Sequence, residues 1–283
     1  MLIGKQLTKG LGAGSEPSTG EGAAEEARSE ILEACQDADI VFLTGGLGGG
    51  TGTGSLPVIA KLAKDRGALT IAIVTLPFSN EGARRSRNAR LGLERLRKSA
   101  DTVIVIPNDK LLQDEIMNLP LNIAFRQADE ILGNAIKCMT EITSQGGLVN
   151  IDFADMRSIM DGGGVAMIGM GEGQGQNRAS DAVIAALTSP LLEIDIGESE
   201  GALVNVTGGD DMTLQEAHEV VKEVHSKINK DARIIWGASI DSTLEHQIRV
   251  MLVVTGVKSP QILGPPSGVD DGLQSKYGIE FVQ

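Results

Sequence analysis

The sequence is short of aromatic rings, of cysteine and of positive charge. Aromatic residues make up 2% of its 283 positions, so any core must be built from aliphatic side chains. The two cysteines, Cys35 and Cys138, sit in separate helix-like patterns without metal-type spacing. That excludes a disulfide scaffold and reads as buried or free thiols of a reducing compartment. No apolar run approaches the roughly 20 residues that cross a bilayer, and no signal peptide precedes the first apolar segment. A cytoplasmic protein without direct membrane contact is therefore expected. Basic residues number 25 against 38 acidic, a net charge of −13, which argues against nucleic acid or anionic lipid as a direct partner. Apolar residues at 41% and charged residues at 22% fit a globular chain, and its length suits about two domains.

Glycine, in contrast, is plentiful, with 36 residues, and its densest cluster is the stretch LTGGLGGGTGTGS from Leu43 to Ser55. An apolar run from Ala38 leads into it and an amphipathic run from Leu56 to Lys64 leads out, so the order is strand, loop, helix. Gly48, Gly49, Gly50, Gly52 and Gly54 allow positive φ and carry no Cβ, so successive backbone N–H groups can converge on one anion. The free N–H groups and dipole of the following helix add to that attraction, and Thr51, Thr53 and Ser55 can supply hydroxyls. A Walker loop is excluded because Gly54 is followed by Ser55 and no lysine occurs from Thr44 to Ala60. The dinucleotide fingerprint G-x-G-x-x-G finds no register between Gly45 and Gly54. The next strand also lacks the terminal acid that would hold a ribose.

The loop GGGTGTG resembles the signature of the tubulin/FtsZ family of GTPases, and residues far from it repeat the resemblance. The resemblance implies a guanine nucleotide, GTP or GDP, with Mg2+ carried on its phosphates. It also implies a doubly wound, Rossmann-like parallel-sheet GTPase domain, a long central helix and a second, smaller α/β domain. We place these at 1–117, 118–145 and 146–258, followed by a flexible tail over 259–283. Within the first, Met1 to Gly4 reads as a strand, Gly10 to Ser15 is a second small-residue loop before an acidic helix read from Gly20 to Asp37, and the resemblance sets Ala13, Gly14 and Ser15 near the terminal phosphate. The buried strand Ala68–Thr75 runs to Pro77, after which Glu81 and Arg85 are implied at the ribose and purine; at i, i+4 they also suit a solvated ion pair. A further strand, Thr102–Ile106, delivers Asn108 against the nucleotide, or as a plain turn residue.

The long helix is expected from Pro120 to Ser144, with Ala124, Ala128, Ile131, Ala135, Met139 and Ile142 on one side. Near its start Phe125 can stack on a base, and Asp129 can accept hydrogen bonds from two adjacent N–H donors, which guanine offers and adenine does not. Beyond it, Asn150-Ile151-Asp152-Phe153-Ala154-Asp155 resembles the catalytic loop of the FtsZ branch. The resemblance implies that this loop enters the nucleotide pocket of the next subunit, Asp152 and Asp155 orienting the attacking water and Asn150 lining its approach. The same residues suit a helix start, with Asp152 as N-cap. In the second unit Val165 to Gly169 reads as a strand, Thr213-x-x-Glu216 as a capping box, Trp236 as core, and the three histidines as surface or packing residues.

The chain is thus expected to polymerise head to tail into filaments of a cell-division ring, at mid-cell. Its tail, ending in Tyr277-Gly278-Ile279-Glu280-Phe281-Val282, would offer a short motif to a membrane anchor or division regulator, or fold back as an edge strand. The family also carries an upstream first strand, a first glycine loop and a ribose-contacting segment without counterpart here. In a doubly wound sheet that strand is central, so a chain without it would expose a sheet edge. A second reading follows: a truncated interaction module of the same fold that does not hydrolyse GTP; the remaining alternative, against the missing fingerprint, is a dinucleotide-binding oxidoreductase.

Overall fold

The computed structural model describes residues 2–111, 133–142, 148–192 and 196–257. Phe125, Asp129, the first part of the long helix and the 259–283 tail lie outside them. Two helices, α1 (Pro17–Glu26) and α2 (Arg28–Ala34), precede β1 (Ile40–Gly46). Then follow α3 (Thr51–Asp65), β2 (Leu69–Leu76), α4 (Ala83–Ser99) and β3 (Thr102–Pro107). A helix over 133–142, here α5, leads to α6 (Phe153–Met160), β4 (Gly164–Gln174) and α7 (Arg178–Leu187). Strand β5 (Gly201–Gly208), α8 (Leu214–Lys227), β6 (Arg233–Ile240) and β7 (Gln247–Thr255) complete the order.

The strands form one seven-stranded sheet in the order β1-β2-β3-β4-β7-β5-β6. Every pairing is parallel except those of β7, which runs antiparallel to both β4 and β5. The two expected α/β units therefore share a sheet. They are joined where Thr102 to Ile104 of β3 pairs with Gly164 to Ala166 of β4. Strand β1 is the edge, paired only with β2 among the described residues; Ile40 to Phe42 are half-buried and Leu43 is buried.

Strands β2 and β3 read as near-continuous apolar runs because both faces are covered, as parallel sheets require. Alternation decides which face each residue joins. Ala72 and Val74 of β2 lie on the side covered by α3 and α4, in a cluster that continues to α7 and α8. Leu69, Ile71 and Ile73 pack toward Ala135, Cys138 and Met139 of α5 and Met156, Ile159 and Met160 of α6. That second cluster also holds Ile168, Leu203, Met251 and Val253, so α5 is buried against strands of both halves. The largest fully buried side chains are Ile, Leu and Met, as a ring-poor sequence demands. Each contributes about 1.5–3 kcal/mol of transfer free energy.

In β4 the sequence Gly169-Met170-Gly171-Glu172-Gly173 puts a glycine on one face at every second residue. Cβ atoms there would lie 2.3, 2.2 and 2.0 Å from the carbonyls of Ala186, Ala182 and Arg178. Helix α7 consequently rests directly on the strand, through Ala179, Ala182 and Ala186. At the head of α7 the nearly buried Arg178 guanidinium binds Glu216 through Nε at 2.6 Å and Asp211 through Nη1 at 2.7 Å. His246 Nδ1 lies 2.9 Å from the same Asp211 carboxylate. This network ties three connections of the second half together. The Arg178 bonds hold the Glu216 carboxyl down at about 2 and Asp211 below the usual carboxylate range.

Three expectations need correction. Leu2 to Gly4 forms no strand, because Gly4 stands at φ 69° and its carbonyl accepts Thr8 N–H at 3.0 Å, turning the chain. The helix read from Gly20 to Asp37 is two helices broken at Ala27. Trp236 is half-buried on the edge strand β6, edge-on to the His218 ring at 5.7 Å.

Candidate functional site

The carboxyl end of β1 runs through Leu47 to Gly50 into the amino terminus of α3. Gly48 stands at φ 108°, and its N–H donates to Thr53 Oγ1 at 2.9 Å. Thr53 is buried, and Ser55 Oγ donates back to the Thr51 carbonyl at 2.7 Å. Two of the three hydroxyls proposed as anion donors thus brace the loop from within, and Thr51 alone is exposed. What the loop offers outward is backbone. The N–H groups of Gly49, Gly50, Thr51, Gly52 and Thr53 have no partner among the described residues, as the first turn of a helix dictates.

The glycines divide by job. A Cβ on Gly50, Gly52 or Gly54 would strike backbone: Ala13 O at 2.8 Å, Gly46 O at 2.4 Å and Pro17 O at 2.0 Å. Gly50 and Gly54 let the second loop and α1 press against α3, and Gly52 lets the start of α3 close on the end of β1. A Cβ on Gly49 or Gly14 would meet nothing within 4 Å. Those two face open space, where a ligand has room.

The loop Gly12 to Ser15 lies against the first. Ala13 N–H donates to Thr51 Oγ1 at 3.2 Å. Gly14 and Ser15 both adopt positive φ, 58° and 65°, and their N–H groups have no partner among the described residues. Asn88 of α4 donates its amide to Ser15 O at 3.1 Å and Gly48 O at 3.3 Å. Nothing in the sequence singled out Asn88, because its partners are backbone carbonyls 73 and 40 residues away. Helix α4 is held to α1 by Arg84–Glu16 at 3.0 Å and Arg95–Glu21 at 2.6 Å. The Arg95 guanidinium lowers the Glu21 carboxyl.

The carboxyl ends of β2 and β3 close the other side. Pro77 Cγ and Arg85 O lie 3.2 and 3.1 Å from where a Gly48 Cβ would be, so both border the glycine loop. Glu81 pairs with Arg85 and accepts Phe78 N–H at 2.8 Å; the ion-pair reading of those two residues is therefore realised. Asn108 is half-buried and opens a short 3-10 turn over Asn108–Leu111. In that turn Asp109 accepts Ser79 N–H at 2.9 Å, binding the ends of β2 and β3 together. Ala13, Gly14, Ser15, Gly48 to Gly54, Pro77, Glu81, Arg85 and Asn108 are thus gathered at one end of the sheet. Among the described residues no three His, Cys, Asp or Glu side chains form a metal-binding group.

The acidic segment is elsewhere. Val149 exchanges two backbone hydrogen bonds with Ala238 of β6, at 3.1 and 3.0 Å, and Ile151 covers Gly237. Asp152 caps α6, accepting Ala154 N–H at 3.2 Å. Asn150, Asp152 and Asp155 are exposed. Two residues beyond Asp155, Arg157 donates to the carbonyl of Gly67 at 2.9 Å, just before β2. At the end of α6 the Met160 carbonyl accepts the Thr102 hydroxyl at the start of β3. Helix α6 therefore lies at the amino ends of β2 and β3, and the glycine loop lies at the carboxyl end of the parallel β1. The eight residues of β2 separate those ends by about 23 Å.

Comparison with known proteins gives this arrangement its lineage. Residues 1–115 match the Tubulin/FtsZ family, GTPase domain, and residues 164–258 the FtsZ family, C-terminal domain. The chain is 56% identical over 283 residues to cell division protein FtsZ 1 of Archaeoglobus fulgidus, spanning all of this chain and 76% of that protein. It is 57% identical over 264 residues to cell division protein FtsZ of Methanothermobacter thermautotrophicus, spanning 93% of this chain and 69% of the other. A solved empty FtsZ dimer from M. jannaschii superposes with a TM-score of 0.87 at 55% identity, over 90% of this chain and 74% of that one. Both halves of the fold and the glycine loop between β1 and α3 are accounted for by one lineage, and the chain belongs to the tubulin/FtsZ family of GTPases.

Proposed function

We propose that the chain binds GTP on its two glycine loops and hydrolyses it only when copies stack head to tail, each completing the pocket of its neighbour. The observation that carries this reading is the separation of the acidic segment from the chain's own glycine loops by the length of β2. Carboxylates that far off cannot touch a water at their own γ-phosphate, whereas a second copy translated along the strands brings its Asp152 and Asp155 to that point. A contact between unlike ends repeats without closing, which builds filaments. The M. jannaschii relative bears the description of a dimer, which supports self-association.

The pocket's work is mostly electrostatic. N–H groups of Gly49 to Thr53 and of Gly14 and Ser15 would hold the phosphate oxygens, with the positive end of the α3 dipole behind them. Pro77, Glu81, Arg85 and Asn108 would border the sugar and base, and Phe125 and Asp129 would stack on and read guanine. Asp152 and Asp155 of the adjoining copy would orient the attacking water, and Asn150 would line its path. Phosphoryl transfer needs little beyond such positioning and charge placement. The N–H groups that line the cradle suit phosphate oxygens and not a cation. Mg2+ would be held by phosphate and water oxygens and would supply charge neutralisation there.

The relatives are named cell division proteins, and in the cell this reading makes the chain a component of a division ring at mid-cell, with the 259–283 tail binding a membrane anchor or regulator. The test is the GTPase rate per subunit as protein concentration rises. A steep rise is expected, with Asp152→Asn/Asp155→Asn binding GTP but not turning it over. A rate per subunit independent of concentration would refute the shared site.

A further inference from the structure

We propose that Asn88 is a positioning residue that sets the gap between the two glycine loops and so makes the pocket favour a nucleoside triphosphate over a diphosphate. The inference rests on the nucleotide reading above and adds to it a source of selectivity.

The two loops come from different parts of the chain and share few bonds. Apart from Ala13 N–H on Thr51 Oγ1 at 3.2 Å, the polar link between them is the Asn88 amide. One Nδ2 carries two hydrogens, and it reaches two carbonyls, Ser15 O at 3.1 Å and Gly48 O at 3.3 Å. One donor group thereby fixes a point on each loop at once. Asn88 itself cannot drift. Its neighbour Ala89 is buried, and Gly92, one turn on, lies so close to Thr53 that a Cβ there would stand 2.5 Å from its Cγ2.

The bond to Gly48 also aims the peptide that follows. A trans peptide holds its C=O and N–H on opposite sides. Drawing the Gly48 carbonyl toward α4 therefore turns the Gly49 N–H the other way, into the space that Gly49 leaves open. Gly48's own N–H is already bound by Thr53, so this carbonyl is the remaining handle on the orientation of the loop. On the other loop, Ser15 O is held while Glu16 N–H donates back to Ala13 O at 3.0 Å. The turn at Gly14 and Ser15 is thus fixed in its left-handed geometry.

A ligand that touches one loop alone is indifferent to the gap. One whose phosphate chain spans both is not, and GTP is the longer by one phosphate. Release of the Asn88 link should therefore weaken GTP more than GDP. A general folding defect would lower both by the same factor, since it only reduces the fraction of competent protein.

The experiment measures dissociation constants for GTP and GDP by equilibrium titration of the full chain, for the parent, Asn88→Asp and Asn88→Gln. Unfolding midpoints are recorded alongside. Loss of two ordinary hydrogen bonds predicts that Asn88→Asp weakens GTP about tenfold and GDP less than twofold, and the uncharged Asn88→Leu must show the same selectivity, since a carboxylate alone would repel the more highly charged triphosphate. Asn88→Gln, which keeps the donor, should recover most of the GTP affinity. If Asn88→Asp proves unfolded, Asn88→Ser must show the same selective loss. Equal weakening of both nucleotides, or no change in either, overturns the proposal while leaving the nucleotide reading intact. A parent chain that binds neither GTP nor GDP overturns both.

Discussion

Two glycines of the signature loop, five residues apart, should fail in opposite ways when given a methyl group. In Gly54→Ala the new Cβ would stand 2.0 Å from Pro17 O and 2.6 Å from Glu21 N, against an ordinary contact of 3.4 Å. Both obstacles are backbone of α1, so that helix must withdraw from α3 by about 1 Å or more. Overpacking of this kind costs about 3 kcal/mol, which in a chain of this size lowers the unfolding midpoint by roughly 6–12 °C. In Gly49→Ala the methyl enters empty space, at a φ outside the left-handed region. Its effect on stability should be within about 1 kcal/mol. Its effect on binding should be large, because the methyl occupies the room through which two charge-assisted N–H bonds would reach a phosphate. Loss of these corresponds to about a hundredfold in GTP affinity. Thermal unfolding followed by fluorescence, with titration of a labelled GTP analogue, reads both quantities on the same samples. A Gly49→Ala chain that binds like its parent, or a Gly54→Ala chain that melts with it, would show that the glycines have been assigned to the wrong tasks.

Acid should act on the Arg178 network before the sheet. The Glu216 carboxyl is lowered from 4.5 to about 2, so its contribution is complete above about pH 4.5 and is lost as pH falls toward 2. That contribution is at most about 3 kcal/mol, and urea titrations at pH 5, 4 and 3 should show Glu216→Gln losing less stability than the parent. Burial pushes the Cys35 and Cys138 thiols up. Iodoacetamide at pH 8 should accordingly label the folded chain at least about tenfold more slowly than the urea-unfolded one, and equal rates by mass spectrometry would contradict that burial. A Gly49→Ala copy mixed with an Asp152→Asn/Asp155→Asn copy should recover GTPase activity that neither has alone, because one supplies the carboxylates and the other the pocket. A mixture as inactive as its parts would count against hydrolysis between subunits.

Much of the architecture was legible because its causes are local. Strands β2 and β3 announce themselves as apolar runs, and the capping box at Thr213 and Glu216 forms as its spacing requires, with Glu216 N–H on Thr213 Oγ1 at 3.2 Å. Where several residues act together at a distance, the letters say less. Strand β4 was read only from Val165 to Gly169, since the glycines that continue it to Gln174 have no side chain to signal burial. The second role of Glu216, pairing with Arg178, joins residues 38 apart and left no trace in the spacing. In the site, the glycine loop was plain, but the division of its glycines between packing and ligand space depends on what lies opposite each Cα. Thr53 shows the same limit: a hydroxyl beside a phosphate loop invites a ligand role, and only the path of Gly48 N–H reveals that it braces the loop.

The place of β7 bears on the order in which the molecule is made. The first three strands pair with their neighbours in sequence, so the end of the sheet that carries the glycine loops can assemble as synthesis proceeds. The second half cannot. Its middle strand is the latest of the described strands to be translated, and until Gln247 to Thr255 has left the ribosome β4 and β5 face a gap of about 10 Å. The nascent chain therefore presents a finished nucleotide cradle before its opposite end has set. On the shared-site proposal, a growing chain could accept nucleotide before it could complete the pocket of a neighbour.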